Sequence, residues 1–196
     1  MQIKKSVRYF IEFSYNGKNY CGWQSQPHML SIQQVLEKTL STLFRESISL
    51  VGAGRTDAGV HSKQMFAHFD INQIIEDDFV KKINSFLPKD IAIHHFHKVK
   101  DDAHARFDAT ERTYEYYINF QKNPFLYEFS YYLYQKLDVS LLNEACEILK
   151  QYSDFQCFSK TKTDVKTYIC DIKNAFWEEK DNQLIFTITA DRFLRN

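Results

Sequence analysis

The sequence predicts an α+β chain built of two ferredoxin-like α/β lobes. Two observations carry that expectation. The first is the order strand-helix-strand-strand-helix-strand over roughly the first hundred residues. The second is a looser helix-and-strand series behind it. The lobes are expected at 1–105 and 106–196, with no flexible linker between them. At 196 residues, with 44% hydrophobic side chains and 17 Phe, the chain is long enough to bury a real core. Gly and Pro are scarce, which argues against long disordered segments.

Each element has its own signal. Val7, Tyr9, Ile11 and Phe13 alternate with Arg8, Phe10, Glu12 and Ser14, the period of a strand. Asn16-Gly17 turns the chain. Ser31 and Gln34 have the spacing of a capping box. Behind them Ile32, Val35, Leu36, Leu40, Leu43 and Phe44 form an apolar stripe at helical spacing. Strands are predicted over 48–54 and 64–71. Asp77 or Asp78 caps a second helix carrying Phe79, Ile83, Phe86 and Leu87, which Pro88 ends. A strand over 91–99 completes the set. In the second half, strands are predicted over 110–120, 131–134, 167–178 and 183–189. The last two are joined at Asp181-Asn182. Asp138 caps a helix whose apolar positions are Leu141, Leu142, Ala145, Ile148 and Leu149.

The run Gly52-Ala53-Gly54-Arg55-Thr56-Asp57-Ala58-Gly59-Val60-His61 stands out from this pattern. Three glycines in eight residues mark a tight loop with something pressed against it, because glycine tolerates positive φ and close approach. The dinucleotide fingerprint needs its third glycine earlier, and the P-loop needs Lys and Ser/Thr where Val60 and His61 stand. That leaves Arg55 and Asp57 as the chemical groups. By itself an Arg-x-Asp turn is structural more often than catalytic.

This run resembles the active-site motif of the tRNA pseudouridine synthase A family. Tyr15-Asn16-Gly17 through Tyr20-Cys21-Gly22-Trp23-Gln24 resembles that family's N-terminal signature. Ser31-Ile32-Gln33, Asn84 with Leu87-Pro88-Lys89-Asp90-Ile91, Asp102 through Phe107, and Arg112-Thr113-Tyr114 are similar to further motifs of the family. Phe155 to Ser159 and Phe193-Leu194 match more weakly. The resemblance spans nearly the whole chain in the family's order. It implies a pseudouridine synthase fold, two lobes with joined antiparallel sheets and a central cleft. In the family the last motif runs on into an apolar helix bearing a basic residue that pairs with the catalytic aspartate. Arg195 does not stand at that place, and the C-terminal lobe is expected to lack this final helix.

The resemblance implies isomerisation of uridine to pseudouridine in the tRNA anticodon stem-loop, at about positions 38–40, on a base extruded from its stack. The N1–C1′ bond breaks, the base turns, and C5 joins C1′. No metal, redox cofactor or energy source is required. One ionised carboxylate is, and Asp57 takes that role by resemblance. Attack at C6, attack at C1′ and removal of the C2′ proton all call for one fixed carboxylate. A cation or loop N–H groups would hold it ionised in a buried site. By pattern alone, the alternation of Tyr114 with Tyr116 and Ile118 favours core packing; by resemblance Tyr114 is the family's active-site tyrosine, set against the flipped uridine. Arg55 binds phosphate or holds the vacated place of the base. Arg106 and Arg112 contact backbone or brace the loop. Trp23 and Gln24 touch RNA, or Trp23 anchors its own loop.

Composition sets the remaining expectations. Net charge is zero, so any RNA binding must rest on local basic segments such as Lys81-Lys82 and Lys160–Lys166. Cysteines at 21, 146, 157 and 170 form no C-x-x-C pair and are expected as reduced thiols in a cytoplasmic protein. His95 and His97 share a strand face, but two ligands without a third make no metal site. No apolar stretch is long enough to span a membrane. The expected partners are tRNA and a second copy in a homodimer. The competing readings are a non-catalytic RNA-binding module and an inactive truncated synthase. Exposed sheet aromatics would serve such a module too.

Overall fold

The computed structural model describes residues 6–76, 78–160 and 167–194. The chain divides into two compact units, Met1–Ala109 and Thr110–Asn196. Each carries one four-stranded sheet, giving a mixed α+β protein.

In the first unit the elements are β1 (Val7–Tyr15), α1 (Ile32–Phe44), β2 (Val51–Gly52), β3 (Ser62–Ile71), α2 (Phe79–Phe86) and β4 (Ile91–Lys98). The sheet order is β2-β3-β1-β4, with every neighbouring pair antiparallel. This is the ferredoxin-like arrangement, because each helix crosses over one intervening strand. Tyr9, Ile11, Phe13 and Tyr15 project from β1 into one core with Met65, Ala67, Phe69 and Ile71 of β3. α1 adds Ile32, Leu36, Leu40 and Phe44, and α2 adds Phe79 and Ile83. Ser31 caps α1 by accepting the Gln34 N–H at 3.2 Å. Asp78 stands at the head of α2 without a side-chain cap, and Asp77 lies outside the described residues. Phe86, read as part of the apolar stripe, is exposed.

The strand predicted over 48–54 is two residues long. Its preceding backbone finds partners on α1 instead of in a ladder. The Ile48 N–H donates to Ser41 Oγ at 2.9 Å, the Leu50 N–H to Glu37 Oε1 at 2.8 Å, and Gln33 Nε2 donates to the Leu50 carbonyl at 3.1 Å. Ile48 and Leu50 are still buried, which is what the apolar pattern registered. Edge strand β4 is tied back in a similar way. Asn84 of α2 both donates to the Ile93 carbonyl at 2.7 Å and accepts its N–H at 2.9 Å.

The second unit consists of β5 (Arg112–Asn119), β6 (Tyr131–Tyr132), α3 (Val139–Leu149), β7 (Ile172–Lys180) and β8 (Gln183–Ala190). The order is β6-β5-β8-β7. β5, β8 and β7 are antiparallel, while β6 pairs with β5 in parallel through two residues only. The β7–β8 hairpin turns at Asp181 (φ 50°) and Asn182 (φ 62°), the left-handed pair that matches strand twist. Asp138 caps α3 by accepting from Ser140 and Leu141 N–H at 2.9 and 3.2 Å. The expected apolar stripe of α3 is not a buried one. Leu141, Ala145 and Ile148 are exposed, and Cys146 is the buried side chain of the helix. Among the described residues this unit has one α-helix where the first has two.

Candidate active site

The glycine loop leaves β2 at Gly52 and rejoins the sheet at Ser62. The Ala53 N–H donates to the Phe66 carbonyl at 2.8 Å, extending the β2–β3 pairing by one bond. A tight turn follows, closed by Val60 N–H donating to the Asp57 carbonyl at 3.3 Å. Gly59 takes φ +79°, a value that disfavours a side chain. Arg55 and Asp57 are both exposed, and Thr56 between them is half-buried. Neither the Asp57 carboxylate nor the Arg55 guanidinium has a hydrogen-bond or ion-pair partner among the described residues.

The close approach anticipated for this loop is real, but most of it falls on other glycines. A Cβ on Gly54 or Gly59 would meet nothing within 4 Å. A Cβ on Gly52 would lie 2.6 Å from the Trp23 indole. The tightest contacts come from the preceding segment. A Cβ on Gly17 would lie 2.0 Å from the Val60 carbonyl oxygen, and one on Gly22 (φ +102°) would lie 2.2 Å from that of Thr56. Trp23 is 3% exposed and packs on Phe13 with ring centroids 5.4 Å apart. Trp23 therefore anchors its own loop, whereas Gln24 is exposed. Thr56, which no sequence pattern singles out, has its hydroxyl 2.9 Å from that of Tyr15.

The other candidates are placed as follows. Arg106 is exposed beside the Phe107 ring, 5.8 Å from its centroid. Arg112 donates to the Asp191 carbonyl at 2.8 Å, bracing the end of β8. Tyr114 lies on β5 opposite Ile188 and meets Phe193 edge-on, centroids 4.8 Å apart. It is 40% exposed and Tyr116 is 52% exposed, while Ile118 on the same face is 5% exposed. The strand face thus runs from open to buried along its length, and core packing does not account for Tyr114.

The histidines of β4 serve local pairing. His94 Nε2 lies 2.8 Å from Ser14 Oγ, and His97 Nε2 lies 3.4 Å from Glu12 Oε2. A hydrogen bond from Gln64, aided by His97 and His95, holds the Glu12 carboxyl below its ordinary range despite partial burial. No group of three or more His, Cys, Asp or Glu with metal-binding geometry is found among the described residues. The four cysteines are free. Lys81 and Lys82 lie on α2. Of the Lys160–Lys166 segment, 161–166 lie outside the described residues, as does Arg195.

The family model for tRNA pseudouridine synthase matches residues 12–108, the stretch that holds this loop and its surroundings. Over 191 residues the chain is 51% identical to the tRNA pseudouridine synthase A of Parabacteroides distasonis, covering 96% of this chain and 76% of the relative. The chain belongs to the tRNA pseudouridine synthase A family. Bacteroides thetaiotaomicron has a similar tRNA pseudouridine synthase A, 51% identical over 193 residues and 72% covered. That of Dictyoglomus thermophilum is 37% identical over 194 residues and 79% covered. Gly17, Gly22 and Gly52 stand where the Tyr15–Trp23 segment and the glycine loop press together, leaving no room for a Cβ. No helix of the described residues is long and apolar enough to cross a membrane.

Proposed function

We propose that this chain isomerises uridine to pseudouridine in tRNA, with Asp57 as the catalytic carboxylate. Membership of the tRNA pseudouridine synthase A family supports the reaction class. The observation that carries the residue assignment is an exposed carboxylate on a loop held from both sides. A carboxylate there is open to meet a base that has left its stack. It acts as nucleophile or as general base, and either route needs it fixed against the ribose and base edge. Arg55, two residues earlier and also exposed, contacts phosphate or the gap left by the base. Tyr114 offers an open ring for stacking, worth about 1–3 kcal/mol per base.

The finer points of this reading are the anticodon stem-loop as target, a cytoplasmic setting, a homodimer as the working form, and two lobes with joined sheets sharing a substrate cleft. The expected division of labour puts the catalytic loop in the lobe over 1–105 and the stacking tyrosine in the lobe over 106–196.

The test is Asp57→Asn. The variant is expected to keep its melting temperature and its tRNA affinity. It should lose more than about a thousandfold in single-turnover rate, roughly 4 kcal/mol of barrier. Activity within about tenfold of the parent would remove Asp57 from the chemistry. If the parent protein binds tRNA and never turns over, the non-catalytic RNA-binding reading replaces this one.

A further inference from the structure

We infer that the segment from Tyr15 to Trp23 is a seat that sets the position of Asp57, and that Tyr15, Gly22 and Thr56 are positioning residues for the reaction. The inference deepens the reading of Asp57 as the catalytic group and rests on it.

The backbone on either side of Asp57 sets where its carboxylate can reach. That backbone is pinned on both sides by one segment. On the N-terminal side the Trp23 N–H donates to the Thr56 carbonyl at 3.1 Å, and the Tyr15 and Thr56 hydroxyls meet at 2.9 Å. On the C-terminal side the Gly59 N–H donates to the Tyr20 carbonyl at 3.3 Å, and the Gly17 N–H donates to His61 Nδ1 at 3.1 Å. The two surfaces are in contact to the limit that glycine allows. A Cβ on Gly22 would fall 2.2 Å from the Thr56 oxygen and 3.0 Å from the Asp57 carbonyl carbon.

The seat is itself fixed to the rest of the unit. The first N–H groups of α1 have no partner inside their own helix. Here Ile32 donates to the Gly22 carbonyl at 3.2 Å and Gln33 to the Trp23 carbonyl at 3.0 Å. From the other side Asp90 accepts the Tyr20 hydroxyl at 2.7 Å, and its carbonyl accepts the Asn16 N–H at 2.8 Å. Burial and the Asp90 carboxylate push the Tyr20 phenol upward, so it stays protonated and donating. The chain of contacts runs from α1 and Asp90 through the seat to Thr56 and Gly59, and so to Asp57. A displacement of about 1 Å at a reacting group is enough to cost on the order of a hundredfold in rate.

The experiment measures single-turnover rate, tRNA dissociation constant and melting temperature together, on the whole protein with a tRNA substrate. Gly22→Ala forces the Thr56–Asp57 backbone to move and is expected to lower the rate on the order of a hundredfold. Its tRNA affinity should stay within about threefold, because the loss falls on turnover and not on binding. Should Gly22→Ala fail to fold, Tyr15→Phe and Thr56→Val carry the test. Each removes one hydroxyl of a contacting pair while keeping shape, and each is expected to slow turnover about tenfold. Their double variant should be little worse than either alone, as interacting residues are not additive. Thr56→Ser keeps the hydroxyl and should restore most of the rate. Ile83→Val, in the core away from the loop, should lower stability and leave the rate per folded molecule unchanged.

If Asp57→Asn is inactive while folded Gly22→Ala, Tyr15→Phe and Thr56→Val all turn over at the parental rate, the seat is overturned and the catalytic reading stands. If Asp57→Asn is active, the catalytic reading fails and the seat fails with it.

Discussion

The helices α1 and α3 carry similar stripes of apolar residues, and only one of them lies in a core. In α1, Ile32, Leu36 and Leu40 are fully buried against β1 and β3. In α3, Leu141 is 60% exposed and Ile148 is 56% exposed. Both helices begin on a side-chain cap, Ser31 and Asp138. Each unit also uses a helical asparagine to satisfy the backbone of one edge-strand residue. Asn84 does this for Ile93, and Asn143 for Trp177, donating at 3.0 Å and accepting at 2.9 Å. Local grammar is therefore shared. What differs is cover. In the first unit two helices close over one sheet face, and the face becomes a core. In the second, with one α-helix among the described residues, Tyr116, Tyr131 and Tyr132 on the sheet remain about half exposed. Amphipathic periodicity reports which residues share a side of an element. It does not report whether anything stands opposite.

The largest effect that tests this contrast is on stability. Leu36→Ala should cost about 2–5 kcal/mol, the loss from emptying a packed site. Leu141→Ala should cost less than about 0.5 kcal/mol, as at an ordinary surface position. Denaturant titration of both variants measures the difference. Equal losses would mean that α3 is covered in solution and that the contrast is false.

Next in size is Tyr114. On an open face its ring and hydroxyl are separable. Tyr114→Phe should slow turnover with tRNA affinity kept, while Tyr114→Leu should also weaken capture by about 1–3 kcal/mol, the scale of one stacking contact. If both variants lower the melting temperature and leave the rate per folded molecule unchanged, Tyr114 belongs to packing like Ile118.

A smaller effect concerns charge. The chain is neutral overall, yet tRNA binding should weaken as salt rises, because phosphate contacts release counterions. Arg55→Gln should reduce the slope of log K against log salt by about one contact, uniformly across tRNAs. An unchanged slope would assign Arg55 to something other than phosphate.

The smallest is a pH effect in the first unit. Arg8 pairs with Asp70 through hydrogen bonds of 2.8 and 2.7 Å and holds its carboxyl below the ordinary range. A carboxyl lowered on folding contributes stability above its unfolded pKa, near about 3.9, and loses it as pH falls through the lower folded value. Asp70→Asn should therefore lower the melting temperature slightly at neutral pH. Below about pH 4 the gap between variant and parent should close. A gap that persists in acid would show that the carboxylate is not its source.

The sequence by itself determined the elements and the motif. Alternation marked β1, helical spacing with Ser31 and Asp138 marked two capped helices, and the strand-helix order marked the first unit's ferredoxin-like sheet. The glycine loop announced itself because its composition is intelligible residue by residue. Those signals are local, and each depends on neighbours within a turn or a strand pair. Tertiary structure decided the rest. It reduced the strand predicted over 48–54 to Val51–Gly52, because Glu37, Ser41 and Gln33 take the preceding backbone bonds. It buried Trp23, opened Tyr114, and left much of the α3 stripe exposed. It also placed the tightest approaches not on the loop's own glycines but on Gly17 and Gly22, far earlier in the chain. Contacts between segments so far apart leave no periodicity, since chain folding and not spacing brings them together.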